Sequence, residues 1–79
     1  MRANADQDLD GFVEWLETRP YSPSTRISMF RRARTCFDAG VTRAEDVDDV
    51  FVHRSISRRY RTSLRNALRT YAEFEAVAA

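Results

Sequence analysis

With 79 residues, the chain has room for one domain and one modest core. Hydrophobic residues make up 43% and charged residues 32%, with two glycines and two prolines, which excludes a disordered tail or a repeat array. The net charge is +1, no apolar run approaches the ~20 residues a membrane span needs, and one cysteine with one histidine leaves no disulfide and no zinc set.

The opening "MRANADQDLDG" lacks the apolar stretch of a signal peptide, so the expectation is a soluble, cytoplasmic protein without membrane partners. The near-neutral total conceals segregation. Residues 21–40 carry four arginines against Asp38, and residues 51–70 carry six arginines and no acid. The acids gather before, between and after these two segments. All thirteen basic residues are arginine.

Four helices are predicted in chain order. The first covers residues 6–18, where Leu9, Phe12, Val13 and Leu16 follow the spacing of an amphipathic helix with Trp15 on its flank. Asp6, Asp8 and Asp10 sit in its first turn, at the positive end of the helix dipole, and Pro20 stops it. The second helix starts at Ser22 as cap and Pro23 as first helical residue, and runs to about Asp38. Gly40 then supplies a left-handed C-terminal cap. Phe30, Ala33 and Phe37, flanked by Ile27, Met29 and Cys36, form its buried face, with Cys36 as a small buried hydrophobe.

The third helix is short, about residues 43–52, opened by a Thr42–Glu45 capping box, with Val47, Val50 and Phe51 as its apolar side. The fourth runs from near Ser57 to about Val77, with an apolar stripe of Tyr60, Leu64, Ala67, Leu68, Tyr71 and Phe74. No stretch reads as a strand, so the expected fold is all-α, a compact four-helix bundle with short connections.

At about 100° per residue, the fourth helix separates its apolar stripe from a second stripe of Arg58, Arg61, Arg65 and Arg69, with Thr62 at the edge. That stripe contains no acid of its own. Like charges on one helix face cost a few tenths of a kcal/mol each, which an anionic partner relieves. Opposite the buried face of the second helix lie Ser24, Ser28, Arg31, Arg32 and Thr35. Hydroxyls and guanidiniums beside a helix N-terminus are donors that suit DNA phosphates. Arg34 falls on another side, where it is expected to meet an acid of the first or third helix, and Arg26 lies on the apolar side with its stem packed. The same pattern also describes a solubilising surface.

The helix order and local motifs resemble the N-terminal core-binding domain of tyrosine recombinases, the phage-type integrases, a SAM-like four-helix module. The likeness spans about Leu9 to Phe74 and rests on "FVEWLETR" for the first helix, "SPST" at 22–25 for the start of the second, and "ALRTYAEF" at 67–74 for the fourth. It departs where a tyrosine often follows the Thr by four positions; Met29 stands there, followed by Phe30. The interval between the third and fourth helices is also short. In that family the domain forms half of a clamp around duplex DNA, and a separate C-terminal domain performs the chemistry.

The resemblance implies a single DNA-binding domain over residues 1–79, with contacts from Ser24, Thr25, Ser28, Arg31 and Arg32 on the second helix. On the fourth it implies Arg58, Arg61, Thr62, Arg65 and Arg69, with base readout from Arg61 or Arg65. Implied partners are double-stranded DNA, a C-terminal recombinase catalytic domain and other recombinase protomers. "HRSI" at 53–56 is not the family's His-x-x-Arg box, and Tyr21, Tyr60 and Tyr71 read as core or boundary aromatics rather than nucleophiles. The expectation is therefore no catalysis, no cofactor and no metal. The alternative is a helical protein–protein adaptor that self-associates through its oppositely charged faces.

Overall fold

The computed structural model describes residues 7–52 and 55–78. Its helices are α1 (Leu9–Glu17), α2 (Pro23–Asp38), α3 (Val47–Phe51) and α4 (Arg58–Ala78), with a 3-10 turn at Ala44–Asp46 leading into α3. No strand occurs among the described residues, so the fold is an all-α bundle. Asp6, His53 and Arg54 lie outside the described residues.

The helix ends follow from short-range chemistry. Asp8 caps α1, its carboxylate accepting the Gly11 N–H at 2.8 Å, rather than lying in the first turn. Ser22 caps α2 through the Thr25 N–H, and Ser57 caps α4 through the Tyr60 N–H at 3.1 Å. At the end of α2, Gly40 has φ +80° and its N–H reaches Phe37 O, while the Val41 N–H reaches Cys36 O at 2.8 Å. This is the Schellman arrangement, and the buried Val41 supplies the hydrophobic contact that accompanies it.

The expected Thr42–Glu45 capping box does not form. Arg43 takes the cap position of the 3-10 turn without a side-chain cap, and its guanidinium draws Glu45 to 3.5 Å and Asp46 to 3.3 Å. The acids therefore face a cation instead of the helix's own amides, and the continuous helix expected over 43–52 splits into a 3-10 turn and a five-residue α3.

The core joins Phe12 and Leu16 of α1, Ala33, Cys36 and Phe37 of α2, Val47 and Phe51, and Leu64, Leu68, Tyr71 and Phe74 of α4. Tyr71 stands edge-on to both Phe12 and Phe37 with ring centroids 5.0 Å away, a geometry favoured by the ring quadrupoles. Four residues assigned to the apolar faces are not core, Val13 and Phe30 among them being half-buried. Ile27 is 51% exposed because it lies on the margin of the apolar arc of α2, and Tyr60 is 37% exposed because, though central in the arc of α4, it stands in the first turn of that helix. Arg26 behaves as expected for a snorkelling side chain, part-buried with its guanidinium donating to Tyr21 O at 3.0 Å.

Helix α4 is the spine, packing against α1, α2, the 3-10 turn and α3. The start of α2 lies beside the middle of α4, and the end of α2 meets Tyr60 at the start of α4, so the two helices run antiparallel. Their shared outer edge carries most of the candidate site.

Candidate nucleic-acid interface

Between α2 and α4 runs a groove of about 240 Å³, lined by Ser24, Thr25, Ser28 and Arg32 on one side and Ser63 and Asn66 on the other, over Met29 and Ala67. Small side chains at 24, 25, 28 and 63 leave the space open, and their hydroxyls make it polar. Not all of those hydroxyls are free to donate. Ser63 donates to Arg59 O on its own helix at 3.3 Å, and Ser24 donates to Ser22 Oγ at 3.3 Å, the Ser22 hydrogen itself going to Thr25 Oγ1.

The hydroxyl hydrogen of Thr25, the Ser28 hydroxyl and the Arg32 guanidinium have no partner among the described residues. Asn66 accepts from Arg69 through Oδ1 at 3.2 Å, which leaves its NH₂ to donate. The groove is thus a concave set of donors with no acid in its lining.

Cations continue along both rims. Arg31 lies on the exposed side of α2, beside a shallow depression shared with Arg34, Thr35, Asp38 and Tyr60. Arg58, Thr62 and Arg69 fall on the exposed crest of α4, and Arg59 projects toward the α2 side of that crest. Among the described residues no acid pairs with Arg31, Arg32, Arg58 or Arg59. Arg34 is different: it reaches Asp38 of its own helix at 3.9 Å, not an acid of α1 or α3 as expected. Thr35 donates its hydroxyl hydrogen to Arg31 O at 2.9 Å, so it offers an outside ligand only an acceptor.

Arg61 and Arg65 occupy the opposite flank of α4 from the groove, and an acid from elsewhere in the chain meets them. Arg61 Nε and Arg65 Nη1 both donate to Asp48 Oδ1, at 2.9 and 2.7 Å. Arg61 also donates to Ile56 O at 2.7 Å, and Arg65 to Thr62 Oγ1 at 2.8 Å. Their side chains are only 18% and 21% exposed, against 58% for Asp48. Two of the four arginines of the stripe that is free of acid in its own sequence are therefore paired, with a single carboxylate from the segment before it.

The residues nominated from sequence thus divide into three groups. Ser24, Thr25, Ser28 and Arg32 share the groove; Arg31, Arg58, Thr62 and Arg69 rim it; Arg61 and Arg65 sit apart with Asp48. Ser63, Asn66 and Arg59 were missed. They lie within about 60° of one another on the helical wheel, but only the packing of α2 against that sector makes Ser63 and Asn66 the lining of a groove. Compared with family models, curated proteins and solved structures, the chain matches none.

Proposed function

We propose that this chain is a DNA-binding module without chemistry of its own, gripping duplex DNA with α2 and α4. It would act as the core-binding domain does in the site-specific recombinases it resembles, with catalysis left to a separate domain. The observation that carries the reading is the donor-lined α2–α4 groove flanked by unpaired guanidiniums. Phosphate oxygens need convergent donors and positive charge at hydrogen-bonding distance, and helix faces of Ser, Thr, Asn and Arg provide both. Sequence readout would be slight, because the groove is lined mostly by short side chains and the two arginines nominated for guanine are held on another flank.

Five arginines, Arg31, Arg32, Arg58, Arg59 and Arg69, lack an acid partner on this edge among the described residues. Neutralising about four phosphates gives a log–log salt slope of about −3.6. The experiment is a titration of isotope-labelled protein with a short random duplex at low and then moderate salt, following backbone amides. Salt-reversible shifts confined to 22–35 and 57–69 support the reading. Unmoved amides at low salt reject it.

The self-association alternative draws on acids of α1 and of the α3 segment. Part of that supply is already used within the molecule, since Asp48 holds Arg61 and Arg65 and Asp46 holds Arg43. The same pairs occupy Arg43, Arg61 and Arg65, so what favours the DNA reading is the α2–α4 groove, whose lining contains no acid.

A further inference from the structure

We infer that Asp48 sets the affinity of this surface for DNA, by occupying the position between Arg61 and Arg65 where a backbone phosphate oxygen would otherwise be held. The inference rests on the DNA-binding reading above. Two guanidiniums converge on the single oxygen Asp48 Oδ1, at 2.9 and 2.7 Å. Convergent arginine donors on one anionic oxygen are equally the geometry that takes phosphate. One carboxylate faces two cations, so the cluster retains positive charge and still attracts a second anion.

The three side chains differ in how firmly they are held. Arg61 is anchored by Ile56 O and Arg65 by Thr62 Oγ1, so both guanidiniums keep their orientation if the carboxylate leaves. Asp48 is the exposed member and stands on a helix of five residues. On the wheel of α4, Arg65 neighbours Arg58 and Arg69, so a strand following the crest passes within reach of the cluster. The approaching phosphate must then displace or endure a fixed negative charge. Asp48 acts as an internal competitor that weakens non-specific binding.

The test compares wild type, Asp48→Asn and Asp49→Asn for binding to a short random duplex across a salt series, read by fluorescence anisotropy. Asp49 is exposed on the same helix without an arginine contact, so its substitution makes the same change in net charge. Asp48→Asn is expected to bind roughly three- to tenfold tighter at low salt, with a slope steeper by about one to two as the freed arginines engage phosphates. Asp49→Asn should follow wild type, and Arg65→Gln added to Asp48→Asn should erase most of the gain.

A wild type that binds while Asp48→Asn gains nothing, or Asp49→Asn gaining as much as Asp48→Asn, overturns the inference and spares the DNA reading. Binding by Asp48→Asn alone overturns the DNA reading of the wild-type chain and, with it, the inference that Asp48 tunes that binding. Absence of binding by every variant overturns both. Should Asp48→Asn fail to fold, the Arg61 Nε–H resonance of wild type decides: it must shift at saturating duplex, and an unmoved resonance overturns the inference.

Discussion

The hydroxyl of Tyr71 accepts the backbone N–H of Asp8 at 2.7 Å, across 63 positions of sequence. The same ring stands edge-on between Phe12 and Phe37. One side chain thus ties the start of α1 to α4 and fills the core between α1 and α2, and substitution separates the two roles. Tyr71→Phe keeps the ring and removes one acceptor, at a cost of about 1 kcal/mol. Tyr71→Ala empties the core and costs about 3–5 kcal/mol. Thermal unfolding should show a fall of roughly 4–8 °C for the first and a much larger one for the second. Amide exchange at Asp8 should quicken in Tyr71→Phe; unchanged exchange there would mean that the hydroxyl does not hold the α1 terminus.

Burial of Cys36 pushes its thiol up from 9.0 to about 11. The Tyr71 phenol is also raised, chiefly by burial, with the Asp8 N–H bond opposing the shift and the charges of Glu75 and Asp8 adding to it. The unfolded thiol loses its proton near pH 9, and the folded one holds it to about 11. The folded state therefore binds more protons in that window, so stability is complete below pH 9 and falls as pH rises toward 11, by roughly 2–3 kcal/mol. Urea midpoints at pH 7 and pH 10.5 should differ by more in wild type than in Cys36→Ala. Equal differences would remove the thiol from the account.

The local and the tertiary parts of this structure were unequally legible in the sequence. Ser22, Pro23 and Gly40 marked the bounds of α2 because capping chemistry acts within a few residues. The core stripe of α4 was legible from Leu64 to Phe74 for the same reason, a period of 3.6 residues. Periodicity reveals neither how wide an arc nor how long a stretch of helix the neighbours cover, so Ile27 at the edge of the α2 arc and Tyr60 in the first turn of α4 were counted inside and lie outside. The Asp48 contacts to Arg61 and Arg65 span 13 and 17 positions, and no pattern within either helix encodes them. The groove, likewise, arises only where α2 meets α4, and seven of its eight lining residues carry no charge signal.

Gly40 is the one described glycine with positive φ, at 80°. An added Cβ would meet open space there, so a substitution is opposed by the backbone conformation alone. Gly40→Ala should cost about 1 kcal/mol, near the left-handed penalty for an L-residue. Gly40→Asn should cost less, since asparagine tolerates that region through local hydrogen bonds. Chemical denaturation of the two variants checks the order. An alanine variant as stable as wild type would show that the Schellman turn re-forms with another backbone at the end of α2.

Charge reversal can separate the groove from the Asp48 cluster, provided that the residues are chosen for being unpaired. Arg61→Glu with Arg65→Glu would bring two new carboxylates against Asp48 and strip the Ile56 carbonyl of its donor, so lost binding in that variant would be confounded with lost packing. Arg32→Glu with Arg58→Glu avoids this, because neither guanidinium has an acid or carbonyl partner among the described residues. The thermal midpoint of that pair should stay close to wild type, as neither side chain belongs to the core and a glutamate at 58, in the first turn of α4, suits the positive end of the helix dipole. Affinity for a random duplex at low salt should fall by at least tenfold, and the salt slope should shrink by about two. Arg43→Gln provides the comparison: it makes a quarter of the charge change at an exposed site beside the 3-10 turn without bringing a new carboxylate against Glu45 and Asp46, and should alter affinity only slightly. If Arg43→Gln weakens binding as much per charge as the groove pair does, attraction is set by total charge and the α2–α4 edge is not the contact surface.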